Sequence, residues 1–139
     1  MSDINLGETV TDIVTNMEGI AVIRRETMYG FVEFAVQRRD RHSDPVFIAQ
    51  NRLVVKDAGV SAIAVEPKRC VVHLGEKVSD KVTAFKGTAI VKETHMDGKI
   101  MFGVAPTFRI GADVYALQET MFEHERLKTV GVGFSGELS

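Results

Sequence analysis

The chain has 139 residues, 45% hydrophobic and 26% charged, with a formal net charge of −2. That is the make-up of a folded chain rather than a disordered one, and so near-neutral a balance gives no electrostatic footprint for nucleic acid or an anionic membrane. A lone cysteine, Cys70, excludes an intramolecular disulfide and fits a reducing compartment.

No apolar run approaches the ~20 residues of a membrane span. The opening Met1-Ser2-Asp3-Ile4-Asn5 has neither the basic region nor the apolar core of a secretory signal. The expectation is a protein made in a cytoplasm, with no membrane partner.

In chain order, Glu8 to Val14 alternates with a period of two and reads as a strand with one buried face. Asn16 to Gly19 is a turn, Ile20 to Thr27 a second strand, and Tyr29-Gly30 a hairpin leading into Phe31 to Val36. A polar link from Gln37 to Asp44 carries Arg38, Arg39 and Arg41 with His42. Ala49 to Arg52 is a short turn before a last strand from Leu53 to Val55.

Then the pattern begins again. Residues 6–36 align without a gap onto 74–104 at an offset of 68, with 13 of 31 positions identical, including Val10/Val78, Asp12/Asp80, Gly19/Gly87, Gly30/Gly98 and Phe34/Phe102. Such a duplication outranks length as a guide to architecture. Beyond the hairpin the offset moves to 74, pairing Phe47-Ile48 with Met121-Phe122 and Arg52-Leu53 with Arg126-Leu127, which puts an insertion in a loop. In the second repeat the hairpin dipeptide is Asp97-Gly98, expected to supply two positive φ angles. Between the repeats, Ala62 to Val65 and Cys70 to Val72 look strand-like around a turn at Glu66-Pro67-Lys68. Helix is expected to be scarce, at most one turn near Leu117 to Phe122.

Four to five short strands with hairpins and a final turn-then-strand describe a small SH3-like barrel. The chain therefore reads as all-β, two tandem SH3-like small β-barrels packed together: repeat 1 over residues 1–58, a structured connector 59–72, repeat 2 over 73–131, and a C-terminal arm 132–139.

Lys81-Val82-Thr83-Ala84-Phe85-Lys86-Gly87-Thr88, followed later by Met121 to Leu127, resembles a group of small tailed-phage proteins with the pattern Lys-Val-Thr-Gly-Phe-x-Gly-Ile and an aromatic-acidic-Arg-Leu ending. The first repeat is a weaker echo, with Val14 to Ile20 and Arg52-Leu53. Ala84 stands where the group has Gly, and Ile13 where it has Lys. The resemblance implies an SH3-like fold and a phage origin, with a virion location after assembly in the host cytoplasm, rather than a particular activity.

No residue pattern demands catalysis. Asp12 and Asp80, each beside buried valines, are read as turn-pinning carboxylates rather than twin binding sites. His42, His73, His95 and His124 lack ligand spacing, so no metal or cofactor is expected. Cys70 lacks a companion base and reads as a half-buried strand residue. Arg38, Arg39 and Arg41 are candidate contacts to an anionic partner, although interleaved acids argue against nucleic acid. The insertion residues Phe108, Arg109, Ile110 and Tyr115, with Phe134 and Leu138 of the arm, are candidate protein-interface anchors.

The reading from sequence is a non-enzymatic structural or accessory virion protein, a capsid decoration or head–tail component. It would bind other virion proteins or further copies of itself. The alternatives are a host-directed inhibitor, a ligand-sequestering protein and a nucleic-acid-binding module.

Overall fold

A computed structural model describes residues 3–39, 43–110 and 113–130, without the side chains of 107–116. The protein is all-β and antiparallel. It divides into two compact units: Met1–Glu26, Phe31–Lys68 and Glu93–Lys99 in the first, and Thr27–Gly30, Arg69–Lys92 and Ile100–Ser139 in the second. Each unit thus takes the body of its five strands from one repeat and a hairpin tip from the other, so that Thr27 of β2 falls in the second unit and Glu93–His95 of β7 in the first.

In the first unit the strands are β1 (Thr9–Asp12), β2 (Glu18–Thr27), β3 (Val32–Gln37), β4 (Val46–Ala49) and β5 (Leu53–Asp57). Their order across the sheet is β5-β1-β2-β3-β4, and a 3-10 turn, Gln50–Arg52, links β4 to β5. The core is Ile4, Val10, Ala21, Phe34, Val36, Ile48 and Leu53. Alternation in β1 and β3 sends these residues to one side of the sheet.

In the second unit, β6 (Lys77–Asp80), β7 (Lys86–His95), β8 (Ile100–Ala105), β11 (Thr120–Glu123) and β12 (Leu127–Thr129) repeat the same plan. Their order is β12-β6-β7-β8-β11, and the 3-10 turn His124–Arg126 links β11 to β12. The core is Val72, Val78, Ala89, Ile100, Phe102, Val104, Phe122 and Leu127. Residue by residue this is the first core displaced by 68, then by 74 after the insertion, with Ile100 standing where the first unit has half-buried Val32. The insertion itself is a hairpin of β9 (Thr107–Ile110) and β10 (Asp113–Ala116).

Four sequence expectations change. Leu117 to Phe122 forms no helical turn: 117–119 is irregular and Thr120–Glu123 is β11, paired with β8. The connector holds no strand; Ser61–Ile63 is a 3-10 turn, and Cys70 sits half-buried outside any strand. Val65 N–H donates to Met96 O at 2.9 Å, but no ladder continues from it, and a strand exists only through its pairing. The first strand is shorter than Glu8 to Val14. Finally, the Asp97-Gly98 turn uses one positive φ, at Gly98 (+89°), as its counterpart does at Gly30 (+88°). The i→i+3 bonds Gly98 N–H to His95 O and Gly30 N–H to Thr27 O close both turns, so one left-handed glycine suffices in each.

Candidate functional site

The buried acids are structural pins. Asp12 ends β1, is 1% exposed, and accepts from Val14 N–H at 3.1 Å and Thr15 Oγ1 at 2.7 Å. Arg52, at the end of the 3-10 turn, donates to it through Nε (3.0 Å) and Nη2 (2.5 Å). Asp80 has the same kind of partners one repeat later: Thr83 N–H at 3.0 Å, Thr83 Oγ1 at 2.5 Å, and Arg126 through Nε (2.9 Å) and Nη2 (2.5 Å). In each case the arginine fork holds the carboxyl well below the usual carboxylate range, against the opposing effect of desolvation. Both oxygens of each carboxylate are committed to these partners. The arginines are the half of this feature that single residues do not announce, and their alignment at offset 74 is the signal for them.

A second polar cluster lies in the first unit. Arg25 donates to Glu93 through Nε (3.1 Å) and Nη2 (2.8 Å), and to Glu33 through Nη1 (3.2 Å). Its guanidinium carbon stands 3.7 Å from the centroid of the Phe47 ring, a cation–π contact. His95 Nε2 lies 3.2 Å from the other oxygen of Glu93.

His124 Nε2 accepts from Val71 N–H at 3.3 Å, and its ring lies 5.9 Å from Phe102. His73 is exposed, and His42 lies outside the described residues. Among the described residues no group of three His, Cys, Asp or Glu side chains is placed to hold a metal ion.

Of the proposed anion contacts, Arg38 is exposed with Nη2 3.4 Å from Ser43 Oγ. Arg39 is exposed and borders a shallow surface depression with Ile20, Asp57 and Gly59. Arg41 lies outside the described residues. The backbones of Phe108, Arg109, Ile110 and Tyr115 run in β9 and β10, with Tyr115 opposite Phe108 and Val114 opposite Arg109. Their side chains lie outside the description, as do Phe134 and Leu138 altogether.

The surface that distinguishes the repeats is on shared strands. In the turn after β1 and on β5, repeat 1 shows Ile13 (62% exposed) and Val54 (51%), and its Glu18 on β2 is paired with Lys56 Nζ at 2.9 Å. At the positions of Ile13, Val54 and Glu18, repeat 2 has Lys81, Lys128 and Lys86. Lys81 Nζ donates to Glu125 O at 3.0 Å. At these three positions one scaffold thus carries two apolar side chains and a paired acid in repeat 1 and three lysines in repeat 2, while the neighbouring Val14 and Val82 are exposed in both. Comparison with known proteins adds no name to this site: no family model, curated protein or solved structure matches the chain.

Proposed function

We propose that this chain is a non-enzymatic binding protein of two tandem SH3-like small barrels, serving as an accessory structural component of a tailed-phage virion. The strand order β5-β1-β2-β3-β4 with a 3-10 turn before the last strand fits an SH3-like barrel, and the second unit repeats it. The resemblance of Lys81 to Thr88 to small phage proteins supplies the virion context.

The carrying observation is the divergence of one strand face: scaffold residues are held constant while exposed side chains change class. An exposed Ile13–Val54 strip contributes nothing to the core of its own unit and fits contact with a neighbouring virion subunit, working through surface complementarity.

The test is mass spectrometry of purified particles, followed by cross-linking from a cysteine placed at Val54. Stoichiometric presence in particles with a cross-link to a virion subunit supports the reading. Absence from particles, with recovery of a stoichiometric host protein from lysate, would replace it with a host-directed role.

A further inference from the structure

The basic face of the second unit is a candidate ligand site in its own right. β6 lies between β7 and β12, and residues directly opposite in antiparallel strands project to the same side. Ser79 stands opposite Lys86 on β7 and Lys128 on β12, and Lys77, two residues back, stands opposite Thr88. Lys77, Lys86 and Lys128 therefore share one face. Strand spacing and rise put their backbones within about 10 Å of one another. All three are exposed, and none is ion-paired with another described residue. Lys77 and Lys86 border a groove of about 310 Å³, completed by Thr88, Pro106 and Val130, a volume at the lower end of small-ligand pockets.

The fold does not require this charge, and the protein contains the control. Repeat 1 builds the same three strands with Thr9, Glu18 and Val54 at these positions, Thr9 being buried where Lys77 is exposed. Its one acid there is neutralised by Lys56. Repeat 2 concentrates three lysines on that face, none ion-paired among the described residues, against a chain of net charge −2. Clustered like charges repel, so such a face is most stable with an anion on it.

We propose that the β7-β6-β12 face of repeat 2 binds a phosphate-rich anion, with Lys77 and Lys86 at the groove and Lys128 as the third contact across β6. Three flexible ammonium groups meet a tetrahedral polyanion as separate point charges. A planar carboxylate is better matched by an arginine fork, and among the described residues no arginine borders the groove. Among the described residues no aromatic borders it either, which gives bases no stacking platform there. Phosphate is the shared chemistry, whether on a free oligophosphate or along a nucleic-acid strand.

The test is a titration of the isotope-labelled full chain with inorganic tripolyphosphate at low salt, followed by amide chemical shifts. The comparison is the variant K77T/K86E/K128V, in which every substitution installs the residue repeat 1 already uses there. Saturable shifts centred on β6, β7 and β12, weakened by added salt and at least tenfold weaker in the variant, are expected. The single variant K86Q, which adds no new charge, should weaken binding about threefold or more and keeps the test valid if the triple variant misfolds. Competition by a single-stranded oligonucleotide identifies a strand as the source of phosphate; its failure to compete identifies a small phosphate compound. No binding of tripolyphosphate, equal affinity in K86Q, shifts centred on Arg38 and Arg39, or capture of a glutamate-rich peptide in its place would each overturn the proposal.

Discussion

Arg126 holds both oxygens of Asp80 in a two-pronged grip across 46 residues of sequence, and Arg52 holds Asp12 in the same way. The pair ties the last strand's entry turn to the end of the first strand, closing each unit on itself. Both acids have folded-state pKa values depressed well below the usual range, chiefly by the arginine, whereas in the unfolded chain they return to about 3.9. Below that value the unfolded state takes up protons that the folded state refuses, so stability must rise with pH there. The contribution is fully present above about pH 5 and is lost as pH falls through 4 towards the folded values. Urea denaturation from pH 3 to 7 should show this acid-side loss. D80N should be less stable than wild type at pH 7 and should show a shallower acid-side slope. An unchanged slope in D80N would contradict the assignment.

Ala84 adopts φ +64°, in the position where Asn16 adopts +70° in repeat 1. Asparagine and glycine tolerate this region; alanine pays a steric penalty of about 1–2 kcal/mol for it. The penalty persists because Ala84 N–H donates to Asp80 O at 2.8 Å and Asp80 N–H to Phe85 O at 2.8 Å, bonds that need the tight turn. A84G should raise the unfolding free energy by about 0.5–1 kcal/mol after glycine's greater chain entropy is subtracted. A higher urea midpoint at constant m-value is the expected signature, and a lower midpoint would refute it.

Much of this architecture could be read from the duplication. Val10/Val78, Phe34/Phe102 and Leu53/Leu127 occupy equivalent core positions, because a buried side chain leaves its identity or size on both repeats. The turns after β1 and β6 showed through Thr15/Thr83 and the aspartates because each exposed threonine hydroxyl bonds the buried carboxylate. The Asp–Arg grips did not, since their partners lie 40 and 46 residues apart and become aligned only once the insertion is placed. The connector misled because Val65, Val71 and Val72 are β-formers, and propensity does not say whether a neighbouring strand exists to pair with. The divergent face was harder still: Thr9/Lys77, Glu18/Lys86 and Val54/Lys128 look like ordinary surface drift until strand register puts them side by side.

Gly19 and Gly87 recur in both repeats for a reason distinct from turn geometry. Neither has positive φ; each lets its strand pass against the end of a neighbour. A Cβ on Gly19 would lie 2.4 Å from Gln37 O, and one on Gly87 2.7 Å from Ala105 O. Both obstacles are backbone, which cannot swing away as a side chain can. G19A and G87A should each destabilise by about 1–3 kcal/mol, although alanine is otherwise a better-ordered residue than glycine. G30A tests the opposite case, for Gly30 has open space around its Cβ position but φ +88°. Its cost, about 1–2 kcal/mol, should come from the dihedral alone. A neutral G19A would remove the close-approach explanation.

Arg25 and Glu93 occupy the same position in the two repeats, 68 residues apart, and they meet each other in the first unit. Around them the backbone bonds are reciprocal. Met96 N–H donates to Val22 O in the first unit and Met28 N–H to Ile90 O in the second, each bond becoming the other when 68 is added to one residue and subtracted from its partner. A position facing its own equivalent would bring like charges together if the repeats were identical there. Divergence to arginine and glutamate turns that repulsion into a pair with Glu93 only 8% exposed. The expected coupling from a double-mutant cycle of R25Q and E93Q is about 1–2 kcal/mol. R25E should be the most harmful single change, because it sets a new carboxylate beside those of Glu33 and Glu93 with no cation between them. The exchange R25E/E93R should recover part of the loss. Chemical denaturation of these variants decides it: coupling within error of zero, with no recovery in the exchanged variant, would mean that Arg25 acts only through its stack on Phe47.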